Sequence, residues 1–215
     1  MKNCQVTKLE HSSILLEYLN KRILFDPGSF TTVSDALHDI DILLITHSHG
    51  DHLNQTNIQY IIDQNQDVLI ITNSQVAELL KNLDANIKIV EGSDKVDIDG
   101  IIITAHDHAH EEIYKEYGQV QNTGYYIDTV FFHPGDAFTK PNRKVAVIAT
   151  IISAPFMQIK STIDYINNNP SAIHLGVHDA VITSETIGWL KDIIEENINP
   201  DCKYEHPKIN KTFLI

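Results

Sequence analysis

The sequence predicts a mixed α/β (α+β) fold, and three observations point there. Short apolar runs bounded by turn residues recur along all 215 residues. Segments of helical spacing lie between and after them, and most runs lead straight into a turn or helix, which excludes a helix bundle and a pure β-sandwich.

In chain order the strand candidates are Ile14 to Leu16, Arg22 to Phe25, Asp41 to Thr46, Asp67 to Thr72, Ile87 to Val90, Gly100 to Ala105, Gly124 to Phe132, Lys144 to Ile152 and Ala172 to Val177. Four amphipathic helices are expected over Thr56 to Asp63, Ser74 to Leu83, Met157 to Ile166 and Ser184 to Ile198. Ser74 and Ser184 are placed to cap helix N-termini, and Asn168-Asn169-Pro170 stops the third helix because proline cannot continue it. Asn82 to Ser93 and Thr139 to Arg143 are short polar connections, and no linker or repeat divides the chain, so residues 1–215 read as one domain.

Hydrophobic residues make up 42% of the chain and charged residues 21%, a globular balance that gives a core able to stand without disulfides or a structural metal. Sixteen Lys and Arg against 29 Asp and Glu leave a net charge of −13, which repels a phosphate backbone and disfavours nucleic acid. Cys4 and Cys202 stand at opposite ends with no CxxC spacing, consistent with a reducing compartment. The start from Met1 to Gln5 shows no apolar signal region, and the longest weakly polar run, Val145 to Met157, is too short to cross a bilayer. A soluble cytoplasmic protein acting on a small molecule, without a membrane partner, is the expectation; the oligomeric state is open.

Twelve histidines are the anomaly in the composition, and nine of them fall in four short segments. The run Asp41 to Thr46 discharges into His47, His49, Asp51 and His52. His47 and His49 are two apart, on one side of an extended segment, and Gly50 lets the chain turn so that Asp51 and His52 address a second point. Imidazole and carboxylate suit Zn, Mn or Fe. The run from Ile101 ends in His106, His108 and His110, of which at least one is expected as a ligand. Val130 to His133 leads through Pro134-Gly135 to Asp136, and Ile173 to Val177 ends in His178.

This order of strand-HxHxDH, strand-His, strand-Gly-Asp and strand-His resembles the metallo-β-lactamase superfamily over nearly the whole chain, and Asp26 in Phe25-Asp26-Pro27-Gly28 is similar to that superfamily's first motif. Within it, Lys8 to Glu17, Ile23 to Gly28, Phe132 to Asp136 and Ser153 to Phe156 are most similar to the compact ascorbate-6-phosphate lactonase-like branch. The resemblance implies a four-layer αββα sandwich with the site at one edge, and a dinuclear centre of two divalent ions, Zn first with Mn or Fe as alternatives. It implies His47, His49 and His108 on the first metal, Asp51, His52 and His178 on the second, Asp136 between them, and Asp26 behind a ligand imidazole. His49, where diiron flavoprotein relatives carry Glu, disfavours oxygen reduction.

The expected activity is hydrolysis of an ester, lactone or phosphodiester by a metal-bridging hydroxide, with Asp51 or Asp136 passing a proton to the leaving group. The alternative is a non-catalytic metal-binding or sensor module on the same fold. Lys140, Arg143 and Lys160 are candidates to receive an anionic substrate group, and Tyr125, Tyr126, Phe138 and Phe156 are candidates for a pocket lining or, more simply, for core packing.

Overall fold

In the computed structural model, which describes residues 4–34 and 37–215, two seven-stranded mixed sheets lie face to face between two pairs of helices. The polar start read at Met1 to Asn3 lies outside the described residues. The first sheet contains β1 (Cys4–Lys8), β2 (Ile14–Tyr18), β3 (Lys21–Phe25), β4 (Ile42–Ile45), β5 (Leu69–Thr72) and β6 (Asn86–Ile89) in chain order, with β14 (Lys211–Leu214) on the outer side of β1. The second sheet runs in chain order through β7 (Lys95–Ile98), β8 (Ile101–Asp107), β9 (Thr123–Ile127), β10 (Phe131–His133), β11 (Val147–Ile151), β12 (Ile173–Val177) and β13 (Lys203–Glu205).

Each sheet is antiparallel over its first three pairings and parallel over its last three. The two halves of the chain therefore share one topology, although no repeat is visible in their residues. The parallel pairings need crossovers, and helices supply those from β4 to β5 to β6 and from β11 to β12 to β13. Helices α1 (Gln55–Gln64) and α2 (Ser74–Leu80) cover the first sheet, while α3 (Ile159–Asn167) and α4 (Ser184–Asn197) cover the second.

Strand alternation sorts the side chains between layers. Ile14, Leu16, Ile23, Phe25, Ile42 and Leu44 meet Tyr125, Ile127, Val147 and Ala149 between the sheets. Their neighbours Leu15, Leu24, Leu43 and Ile45 turn outward onto Ile58, Ile61 and Val76 of the helices. On the other side Tyr126, Phe132 and Ile148 pack against Tyr165 of α3, and Ile166 packs against Ile194 of α4.

The structure departs from the expected elements in a few places. Asn73 and Thr183 accept from the Val76 and Thr186 amides and cap α2 and α4, one residue before the expected Ser74 and Ser184; both residue types are strong caps, so a one-residue ambiguity was built into the sequence. The run Gly124 to Phe132 is a hairpin, β9 and β10, turning at Asp128 with φ +46. Strands β1, β7, β13 and β14 were not expected; β7 and β14 carry exposed polar faces at sheet edges, where alternation is faint.

One ion pair ties the sheets together near their shared edge. Lys8 Nζ, fully buried at the end of β1, sits 2.8 Å from Asp179 Oδ2 just past β12 and also donates to the Leu9 carbonyl. His206 Nε2 holds the same Asp179 oxygen at 3.0 Å. Removing one member of a buried pair leaves an uncompensated charge, so Lys8→Met is expected to lower the unfolding free energy by about 3 kcal/mol. Urea denaturation checks this, and a loss below about 1 kcal/mol would contradict a pinning role for the pair.

Candidate metal centre

The cluster is assembled at the carboxyl ends of the strands. β3 delivers Asp26, β4 delivers Thr46 to His52, β8 leads to His110, β10 to Asp136 and β12 to His178. Two close approaches hold these loops together. A side chain at Gly28 would place its Cβ 1.9 Å from the Asp51 carbonyl oxygen, so only glycine lets the Asp26 loop lie on the His47–His52 loop. Gly135, at φ +65, would place a Cβ 2.1 Å from Asn122 Oδ1, the atom that accepts the Asp136 amide at 3.0 Å.

Thr46 is the junction. Its amide and hydroxyl donate to the two Asp26 oxygens at 2.8 and 2.7 Å, and its carbonyl accepts from the Thr123 amide and from Asn73 Nδ2. With its single hydroxyl proton given to Asp26, Thr46 Oγ1 can only accept from His47 Nδ1, 3.0 Å away. The proton of His47 therefore sits on Nδ1 and its Nε2 carries a lone pair.

The same assignment repeats around the cluster. His52 Nδ1 lies 2.8 Å from Asp26 Oδ2, His110 Nδ1 lies 2.7 Å from the Glu111 carbonyl, and His178 Nδ1 lies 2.5 Å from the Ser153 carbonyl. Each partner accepts, so each ring donates from Nδ1 and turns Nε2 inward. These Nε2 atoms surround Asp136: His52 at 3.2 Å from Oδ1, and His178 at 3.2, His110 at 3.5 and His47 at 4.0 Å from Oδ2. Among the described residues none of the four, nor Asp136 Oδ1, has a hydrogen-bond partner, although all are buried.

Lone pairs and a carboxylate packed together without hydrogen bonds are costly unless a cation lies among them or protons enter. Two combinations of donor atoms lie within 4.8 Å of one another around Asp136: His47, His49 and His110, and His47, His52 and Asp136. Among the described residues the donor atoms of a third set, His11, Asp51, His52 and His178, lie equally close together. The donor set of imidazoles and carboxylates fits a divalent ion of the Zn, Mn or Fe type.

His11 differs from the others in its bonding. Its Nδ1 accepts the Ala180 amide at 3.2 Å, so its proton is on Nε2 and points to Asp51 Oδ2 at 3.1 Å. It is a donor to the carboxylate and offers no lone pair inward, despite being within reach. The His178 amide donates to the His11 carbonyl, so the β1–β2 turn and the loop after β12 are doubly joined here.

Charge follows the geometry. Burial pushes the His47 imidazole well below its ordinary range, and neighbouring His52 adds to this. Burial opposes protonation of His178 too, but Asp136 and Asp51 outweigh it and raise this group to about 9. His52 is raised well above its usual value because Asp136 and Asp26 likewise overcome burial. Burial would raise Asp51 and Asp136, yet His11 and His178 hold Asp51 low, and His178 and His52 hold Asp136 low.

Of the expected site residues the structure brings together His47, His49, Asp51, His52, Asp136 and His178, with Asp26 behind His52. It does not bring His108. His106 and His108 project to the outer face of β8, where His106 stands 5.7 Å from the Tyr126 ring and 6.3 Å from His108, and His108 is exposed. Alternation puts both on the wrong face; two more residues carry the chain over the edge, and His110 takes the place expected for His108. The Glu111 amide then bonds the Asp136 carbonyl, tying the two segments.

The cations do not converge here either. Lys140 and Arg143 line a separate cleft of about 300 Å³ with Asn168 to Ala172, and Lys160 pairs with Asp164 along α3. Tyr125 and Tyr126 are core residues, Phe138 packs against Tyr165, and Phe156 stands over the cluster, 5.3 Å from the His110 ring. His11 and Asn122 were not singled out. Asn122 carried no signal, whereas His11, alone in a turn between two apolar strands, was a readable one.

Comparisons with known proteins agree with this fold. Residues 5–168 match the family model described as "Beta-lactamase superfamily domain". Protein Rv0786c of Mycobacterium tuberculosis is 28% identical over 189 residues, covering 86% of this chain and 88% of that protein. The UPF0173 metal-dependent hydrolase YtkL of Bacillus subtilis is 26% identical over 200 residues, covering 87% and 81%. The structure of Igni18, a metallo hydrolase from Ignicoccus hospitalis, superposes with a TM-score of 0.77 at 15% identity, over 99% of this chain and 98% of that one.

His11→Leu leaves the Ala180 amide without its acceptor and Asp51 without its donor. The expected cost is about 2 kcal/mol in urea denaturation of metal-free protein; a change below about 0.5 kcal/mol would contradict the bonding assigned to His11. The family model spans about three quarters of the sequence, and with the two-sheet architecture and the site at its edge, the chain belongs to the β-lactamase superfamily.

Proposed function

We propose that this protein is a metal-dependent hydrolase that splits an ester or lactone bond. The observation that carries the reading is the convergence of four buried Nε2 atoms on one buried carboxylate, with every Nδ1 proton already committed elsewhere. His47, His49 and His110 would hold one divalent cation, and Asp51, His52 and His178 a second, with Asp136 reaching both. The name of the B. subtilis relative, a metal-dependent hydrolase, supports this assignment, and the likeness of Lys8 to Glu17 and Ser153 to Phe156 to lactonase-like relatives supports the bond type.

Two such cations would supply Lewis acidity, polarising a carbonyl and lowering the pKa of water towards about 7. The chain's own residues do the rest. Asp26 and Thr46 hold the His52 and His47 rings in one tautomer and orientation. Hydrolysis adds water across the acyl C–O bond, giving an acid and an alcohol, and the leaving oxygen needs a proton. Asp51, held ionised, is placed to take the proton lost by the attacking water and hand it to that oxygen, since its side chain is 26% exposed and lines the open cleft, whereas that of Asp136 is 3% exposed.

Elemental mass spectrometry on protein purified without chelator is expected to find about two metals per chain, fewer in Asp136→Ala, with turnover of a test ester reduced at least about a hundredfold in the variant. Undiminished metal content and rate in the variant would overturn the assignment.

Proton bookkeeping gives a second test. In metal-free protein His178 is raised to about 9 and carries the imidazolium charge at pH 7, and His52 is shifted in the same direction. The stability His178 gains from its carboxylates is fully present below its unfolded value of about 6.5 and is lost as pH rises through about 9. Cations must displace these protons, so apparent metal affinity should rise between pH 6.5 and 9. Calorimetry in buffers of different ionisation enthalpy should show net proton release on loading at pH 7. No release would contradict the pairing of both rings with Asp136.

A further inference from the structure

The cleft above the cluster has a volume of about 680 Å³, within the range of small-molecule sites. Its floor is polar, with His49, Asp51, His110, Asp136 and His178. Its walls are mostly apolar: Ile113, Tyr117, Val120, Pro155 and Phe156 rise around that floor, with Ser48 and Gln119 as the polar exceptions. Phe156 stands edge-on at 5.3 Å from the His110 ring and 6.2 Å from His178, which sets an aromatic face beside the place where the reacting group must sit. Tyr117 is 73% exposed, held at the mouth by a bridge to Tyr114. An aromatic left open to water beside a polar floor gains by covering apolar ligand surface.

Charge selects in the same direction. Among the described residues lining the cleft none is Lys or Arg, and the loop that forms one wall carries Glu111, Glu112 and Glu116 against Lys115. Lys115 lies over the Tyr114 ring, and neither lines the cleft. The chain as a whole carries −13. A phosphate or carboxylate on the part of the substrate away from the reacting carbonyl would meet mostly apolar walls and the acidic 111–116 loop, with no Lys or Arg in the lining to receive it.

We infer that the cleft takes an uncharged substrate whose reacting carbonyl carries an apolar or aromatic group, seated against Ile113, Tyr117, Val120 and Phe156, and that it rejects phosphorylated or carboxylated analogues. This substrate class rests on the hydrolase reading for the reacting bond, but the apolar walls stand independently of turnover. The site thus belongs with reactions whose substrate is a neutral ester or lactone.

Alkyl hydroxamates bound to zinc-loaded protein test it by calorimetry. From acetohydroxamate to octanohydroxamate, affinity is expected to rise about fourfold per methylene over the first few carbons, as burial in an apolar wall requires. Suberic acid monohydroxamate, of the same length with a carboxylate at the far end, should bind at least about tenfold more weakly than octanohydroxamate. Phe156→Ala and Tyr117→Ser should flatten the chain-length dependence; the exposure of Tyr117 keeps that variant folded. A flat series, tighter binding of the carboxylated probe, or no binding of any hydroxamate would overturn the inference. Hydrolysis of p-nitrophenyl esters by the same samples separates the two readings: turnover with a flat series sinks the substrate class alone, while a rising series without turnover sinks the hydrolase and leaves the apolar cleft standing.

Discussion

The Asp26 carboxylate, fully buried at the end of β3, receives hydrogen bonds from the Thr46 amide, the Thr46 hydroxyl and His52 Nδ1. A buried carboxylate must be satisfied in this way, and satisfying it determines the rest. It takes the hydroxyl proton of Thr46, which forces His47 to donate from Nδ1, and it takes the Nδ1 proton of His52 directly. Both rings then present lone pairs to Asp136, and the same rule acts on His110 and His178 through backbone carbonyls. The cluster is thereby preorganised: its tautomers are set by neighbours that do not themselves face the cleft.

Such a cluster is unstable on its own terms. Four acceptor nitrogens crowd a carboxylate, and without a cation the compromise is to protonate some of them, which the raised His52 and His178 groups express. The fold bears this cost through ties around the site. Lys8 to Asp179 and the His11 bonds to Ala180, His178 and Asp51 join one sheet to the other at the edge where the loops meet. His11 thus belongs to the frame, with its proton turned towards Asp51.

Much of this was legible in the sequence. The strand before His47 is continuously apolar because it is buried on both faces, and that pattern together with HxHxDH marked the heart of the site. The Gly-Asp after β10 and the His after β12 were readable for the same reason. His110 was harder, since three alternating histidines satisfy the sequence pattern equally and only the length of β8 decides which clears the sheet edge. Asn122 was invisible, because a buried asparagine that holds a turn looks like any loop asparagine until its partners at Pro134 and Asp136 are placed. The topological duplication of the two halves left no trace in residue identity, as each half needs only an apolar alternation that many residues supply.

Long-range ¹H–¹⁵N correlation spectra of the imidazoles in zinc-loaded protein read the proton arrangement of the histidines directly. Expected are Nδ1–H tautomers with metal-shifted Nε2 resonances for His47, His52, His110 and His178, and an Nε2–H tautomer for His11 whose nitrogens show no metal shift. A metal-shifted Nε2 on His11, or Nε2–H on any of the other four, would contradict that arrangement.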